Sequence, residues 1–182
     1  HAINKLSIFL AGLYLSLSDI ASYGLMIQIF ALLSTISGMI FSIYQPRFSS
    51  LRSSNNIKVL KEEFAFSMNI YYLTFVIGSF ILIYTGPFLL TFIGSNATLP
   101  SKSILILFSI VVFLEGNHSN FATLIVTNNN VPFVTSSLVA GLFIGLGSFL
   151  SLNFTSYDIL GLVLVQGLVQ LGYANWKWPH VV

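Results

Sequence analysis

The sequence predicts an all-α integral membrane protein: a bundle of six transmembrane helices, the first of them truncated. Three observations predict it. Of the 182 residues, 55% are hydrophobic and only 7% are charged, against about 25% charged in soluble domains. Mean hydropathy is +0.89, and so few charges could not clothe a water-soluble surface. The apolar residues also fall in runs as long as a bilayer-spanning helix, about 20 residues. Those runs far exceed the ~10 residues of a barrel strand and do not alternate, so a transmembrane β-barrel is not predicted. The length suits a single domain.

The chain opens His1-Ala2-Ile3-Asn4-Lys5 in sequence that is already apolar. It has no initiator Met and no signal-peptide pattern of basic start, short apolar core and small-residue cleavage site. Such an opening is expected of a chain whose N-terminal part is missing. Residues 6–17 are apolar but too short to span: a truncated helix or a reentrant piece, of which truncation fits the abrupt start better. Five segments are long enough to span: residues 20–44, 64–93, 103–126, 133–152 and 157–176. Gly86-Pro87 interrupts the second of these. A proline removes one backbone donor, so a kink or an early end is expected there.

Short connections rich in Ser, Asn, Thr, Pro or Asp lie at 16–22, 94–102, 127–132 and 153–158. The one long connection, 45–63, carries Arg47, Arg52, Lys58 and Lys61. The positive-inside rule makes it cytoplasmic. Alternation then places Asp19, Lys102 and Asp158 outside, and the Thr127-Asn128-Asn129-Asn130 turn and Lys177 inside. Five of the seven basic residues fall inside and one outside, with Lys5 undecided. Within the long connection, Asn55-Asn56 are placed to cap a short helix from Ile57. Ile57, Leu60 and Phe64 would share one face of it, and Lys58 and Glu62 another. A solvated connector lying at the membrane interface accounts for this helix. The functional alternative is a helix that senses lipid or couples bundles.

Packing signals accompany the spans. Ser137, Gly141 and Gly145 recur every four residues, which predicts a flat face for close helix approach. Ser34 and Gly38, near Ala31, Thr35 and Ser42, predict the same. Trp176, Trp178, Tyr173 and Lys177 suit the inner interface at the end of the last helix.

Several function classes drop out. There is no cysteine, which excludes disulfides and Cys-ligated metals. A net charge of +2, thinly scattered, offers no nucleic-acid surface. No metal-ligand spacing, nucleophile elbow or phosphate-cradling glycine loop occurs, so neither a cofactor nor a catalytic constellation is expected.

The strongest chemical signal is Glu115-Gly116-Asn117-His118-Ser119-Asn120, near the middle of the 103–126 span. Glu115 and His118 are three apart, share a face and could hydrogen-bond. Asn117 and Asn120 lie roughly opposite. A helix polar all round at this depth cannot face lipid, because an ionised carboxylate in hydrocarbon costs several kcal/mol. One reading is a substrate or proton site in a central cavity, with Glu115 and His118 titrating. The other is a neutralised pair that joins helices. A second stripe is Gln166, Gln170, Tyr173 and Lys177, for which interhelical hydrogen bonding is the simpler account. Gln28 and Asn69 are lone polar residues at membrane depth, the usual sign of helix glue.

The run Ile3-Asn4-Lys5-Leu6-Ser7-Ile8, followed by Ser18-Asp19-Ile20-Ala21-Ser22-Tyr23-Gly24-Leu25-Met26-Ile27-Gln28, resembles the start of the second half of polysaccharide transport proteins. These are the O-antigen flippases of the multidrug/oligosaccharidyl-lipid/polysaccharide exporter (MATE-like) superfamily. In that family an ID-(K/R)-L-x-L helix precedes a small outer loop and an x-x-Y-x-L-x-x-Q helix. A proline then ends that helix before a basic loop, as Pro46-Arg47-Phe48 would here. Asn4 stands where the pattern often has Asp. The similarity is diffuse but covers essentially the whole chain. It implies one half of a twelve-helix transporter, with an N-terminal six-helix bundle as missing partner. It further implies a flippase for undecaprenyl-pyrophosphate-linked oligosaccharide, multi-pass in a bacterial inner membrane and serving lipopolysaccharide synthesis. Lys5 and His118 would then meet the anionic headgroup. Glu115, Asn117, Asn120 and Gln28 would bond sugar or carry a coupling proton. A cation-coupled drug exporter of the same superfamily and a membrane-embedded glycan polymerase or ligase are the other classes. Short outer connections disfavour the last.

Overall fold

A computed structural model of the chain describes residues 2–129, 131–172, 175, 176 and 179, and for residues 2–6 the backbone alone. Among the described residues there are six α-helices: α1 (Ala2–Tyr14), α2 (Leu17–Ser53), α3 (Ile57–Phe92), α4 (Lys102–Val126), α5 (Val134–Phe154) and α6 (Asp158–Leu171). The structure is 86% helical, without strands among the described residues. Helices α2, α3, α4 and α5 are long and apolar enough to cross a membrane, which fits a multi-pass membrane protein. The helix contacts close into a circuit: α1 meets α2, α2 meets α3, α3 meets α4, α4 meets α6, α6 meets α5 and α5 meets α1. Helix α2 also touches α4 across the circuit.

The expected 45–63 connection is not a loop. Helix α2 continues through Pro46 to Ser53, and α3 begins at Ile57 and continues through Gly86-Pro87 to Phe92. A proline removes a single N–H, and neighbouring backbone and side chains can make good that loss. The expected surface helix from Ile57 is therefore the first turns of α3. Asn56 stands at its N-cap position but makes no side-chain cap bond. The turn is set by the end of α2 instead. Asn55 adopts φ 55°, a left-handed conformation that Asn tolerates. Asn56 N donates to Leu51 O at 2.9 Å and Asn55 N to Arg52 O at 3.1 Å, the paired bonds of a Schellman end. Gly94, φ 69°, ends α3 in the same way.

With 37 residues in α2 and 36 in α3, each helix is about 55 Å long at 1.5 Å per residue. The hydrocarbon core is about 30 Å, and observed tilts of up to ~40° do not absorb the difference. The hairpin must therefore extend beyond the hydrocarbon core, and at its basic end it carries its own core. Phe41, Phe48, Leu60, Phe64, Met68 and Leu124 cluster, with Phe48 edge-on to Phe41 and Phe64 at 5.5 and 5.9 Å between ring centroids. Burying a phenylalanine from water contributes about 1.5–3 kcal/mol, so this cluster can hold the projection together. The exposed Arg47 pairs across the hairpin with the half-buried Glu63 at 2.5 Å.

The main core joins Tyr23, Met26 and Phe30 of α2 to Tyr71 and Phe75 of α3, Leu105, Phe108 and Val111 of α4, and Leu162 and Val163 of α6. Helix α6 has only 14 residues, about 21 Å, too short for the expected 157–176 span. One face is buried, with Leu162 and Val163 wholly enclosed, and the other carries exposed Leu164, Leu168 and Leu171. Helix α5 also meets α1. Ser137 is exposed and Gly141 and Gly145 half-buried, whereas Ile144 and Ser148 are buried. The close α5–α6 approach is at Gly147, where an added Cβ would lie 2.7 Å from Val165 Cγ1, and at Gly161, 2.2 Å from Ser151 Oγ. On α2, a Cβ at Gly38 would meet nothing within 4 Å, so among the described residues no other helix approaches closely there. Trp176 is exposed and its Nε1 donates to Leu171 O at 2.7 Å. Asn130, Tyr173, Lys177 and Trp178 lie outside the described residues.

Candidate functional site

Glu115 lies thirteen residues from Lys102 and eleven from Val126, the two ends of α4, so about 17–20 Å from either. Mid-depth polarity follows directly from the sequence. What surrounds it comes from other helices. Gly116 is the point where α3 presses on α4. A Cβ there would lie 1.7 Å from Tyr71 Oη and 2.7 Å from Cζ. The Tyr71 ring thus crosses bare backbone, and its buried hydroxyl has no hydrogen-bond partner among the described residues.

Next to it a chain of hydrogen bonds runs across the bundle. Tyr72 Oη donates to Asn117 Oδ1 at 2.5 Å. Asn117 Nδ2 donates to Asn175 Oδ1 at 3.0 Å, and Asn175 Nδ2 donates to Gln170 O at 2.7 Å. Asn117 uses both ends of its amide to join α3 to the segment after α6. One turn back along α6, Gln166 Nε2 donates to Ser7 Oγ at 2.9 Å and reaches Tyr23 Oη at 3.4 Å. That second network ties α6 to α1 and α2, with Ser7 and Gln166 buried. In a membrane interior each such bond contributes about 0.6 kcal/mol on average and up to ~1.7, so the pair of networks matters most for fixing helix register.

Glu115 and His118 are half-buried on α4. Among the described residues no hydrogen bond or ion pair joins them to each other. The His118 ring meets Phe133 edge-on at 6.2 Å, and its Nδ1 is buried with no partner among the described residues, as is Asn120 Nδ2. Of the six expected site residues, four share this stretch of α4, and Asn117 alone of them bonds to other helices. Lys5 stands in the first turns of α1, and its side chain lies outside the described residues. Gln28 lies apart on α2. Gln28 and Asn69 are exposed, and among the described residues neither bonds to another helix. Among the described residues no three His, Asp or Glu gather where they could hold a metal.

Gln28 belongs to a longer face of α2, of which sequence reasoning grouped only Ala31, Thr35, Gly38 and Ser42. Gly24, Gln28, Ala31, Thr35, Gly38, Ser42, Gln45 and Ser49 recur at spacings of three or four along α2 and so line one side of it. That side is open: Cβ atoms added at Gly24 and Gly38 would meet nothing within 4 Å. Beside it stand Leu32, Ile36, Met39 and Ile43, all exposed, the composition expected towards lipid. Tyr23, Tyr71, Tyr72, Ser7 and Asn175 were also missed. Tyrosines and serines in an apolar run carry no periodic signal. Asn175 alone was traceable, as the neighbour of the Gln166–Gln170 stripe. Comparison with protein-family models, with characterised proteins and with solved structures yields no match.

Proposed function

We propose that the chain is one half of a MATE-like flippase that moves an undecaprenyl-pyrophosphate-linked oligosaccharide across a bacterial inner membrane for surface polysaccharide synthesis. The observation that carries this is the open face of α2. Small and hydrogen-bonding side chains run along an exposed side of a helix long enough to span, next to a separate apolar side. Lipid solvates the apolar side. The polar side suits a water-filled cavity shared with a second bundle. The interior groups are mostly neutral amides and hydroxyls, Asn117, Asn120, Asn175, Gln166 and Ser7, which suits sugar more than an inorganic ion. The lipid tail of the substrate would stay in the bilayer while the glycan crosses in the cavity, as the two bundles open alternately to either side.

A second reading, the cation-coupled exporter, is favoured by Glu115, a half-buried carboxylate with no hydrogen bond or ion pair among the described residues. Gene deletion separates the two. The flippase reading expects lipid-linked repeat units to accumulate on the cytoplasmic face and the cell surface to lose glycan. Intact surface glycan with raised sensitivity to cationic dyes would promote the exporter instead.

A further inference from the structure

At the basic end, the open face of α2 runs into a cleft of about 430 Å³ between α2 and α4. Gln45, Ser49 and Ser53 form one wall, and Thr123, Thr127 and Asn129 the other, with Val126 the one apolar lining residue. The volume falls within the about 300–1,000 Å³ of small-ligand sites. The walls hold neither carboxylate nor cation, which argues against a metal or a simple ion. With six polar residues against one apolar, Val126, they suit a polar ligand better than an acyl chain. All six side chains can accept a hydrogen bond from a sugar hydroxyl; Gln45, Ser49 and Asn129 can also donate, whereas the hydroxyls of Ser53, Thr123 and Thr127 donate to Ser49 O, Ser119 O and Leu124 O. At the rim, Arg52 Nε donates to Thr127 Oγ1 at 3.3 Å, and the guanidinium's other donors make no hydrogen bond among the described residues. One turn deeper along α4, Asn120 keeps a buried Nδ2 without a partner among the described residues.

We propose that this cleft first binds the glycan headgroup of the lipid-linked substrate, with sugar hydroxyls on Gln45, Ser49 and Thr123 and the diphosphate at Arg52. The proposal rests on the flippase reading and names a subsite for it. Cleft binding places the headgroup at the foot of the α2 face, so the route of the glycan would follow that face from the basic end into the membrane.

The test uses the full-length protein in nanodiscs. Affinity is measured for a polyprenyl-diphosphate-linked oligosaccharide and for the same polyprenyl diphosphate without sugar. In Ser49→Leu/Thr123→Leu, binding of the glycan-bearing lipid should fall roughly tenfold, the scale of one or two lost polar contacts, while the bare diphosphate binds as before. Arg52→Gln should weaken both lipids. Wild-type affinity of the double variant for the glycan-bearing lipid overturns the cleft and leaves the flippase reading standing. Equal losses for both lipids in that variant make the cleft a phosphate site and overturn the sugar assignment. Unchanged binding in Arg52→Gln overturns the placement of the diphosphate. A wild-type protein that binds neither lipid overturns the flippase reading and the cleft together. Should leucine bulk disturb folding, Ser49→Ala/Thr123→Val removes the hydroxyls alone, and a loss confined to the glycan-bearing lipid remains the expected result.

Discussion

Gly116 and Tyr71 make the tightest contact at the middle of the bundle. A methyl at residue 116 would overlap the Tyr71 hydroxyl at 1.7 Å, and the overpacking should cost about 1–3 kcal/mol. Gly116→Ala should therefore lower the thermal unfolding midpoint in detergent, and adding Tyr71→Leu should restore part of it. No recovery in the double variant would mean the two residues do not touch. The Tyr72–Asn117–Asn175 chain gives a second test. Tyr72→Phe and Asn117→Leu should each destabilise by up to ~1.7 kcal/mol. The double change should cost less than the two singles added, because both remove the same bond; strict additivity would contradict the bond. The charged and amide residues from Glu115 to Asn120 were legible because they interrupt an apolar run. Their partners were not, since Tyr72 and Tyr71 read as ordinary aromatics. Ser7, 159 residues from Gln166, has nothing local to mark it.

Helix ends were less legible than helix centres. Arg47, Arg52, Lys58 and Lys61 were read as a loop because charge marks the edge of the bilayer. Charge does not mark the edge of a helix: Arg and Lys are good helix formers, and α2 and α3 run on past the membrane. Pro46 and Pro87 misled in the same direction. The true break is three residues, Ser54, Asn55 and Asn56. Asn55 at φ 55° is the residue the turn depends on. Asn55→Gly should be neutral or nearly so, whereas Asn55→Ile should cost about 1–3 kcal/mol for a β-branched residue in the left-handed region. Thermal unfolding of the two variants side by side checks this, and equal midpoints would contradict the turn. At the other end of the molecule Ser16 was read as loop, yet it is the N-cap of α2, its Oγ accepting from Asp19 N at 3.2 Å. That Ser-to-Asp spacing was available in the sequence as a capping signal.

At the scale of the molecule, the helix count and all-α class were legible because hydropathy measures the solvent a helix must meet. Which helix lies inside was not, since a helix with one buried face, such as α6, and a lipid-facing one are equally apolar. The chain has no cysteine, so single cysteines report sidedness cleanly. Placed at Ser54 and Asn96 of the full-length protein in intact cells, they should react with an impermeant thiol reagent at position 96 and stay protected at 54. The reverse pattern would invert the bundle. The central claim is transport of a lipid-linked glycan, and translocation by the purified full-length protein in proteoliposomes tests it most directly. A polyprenyl-diphosphate-linked oligosaccharide is placed in both leaflets, and its exposure to an external glycan-cleaving enzyme is followed over time. The account predicts that the inner-leaflet pool becomes cleavable when the protein is present and stays protected in protein-free vesicles. An inner pool that remains protected with folded protein in the membrane would contradict it.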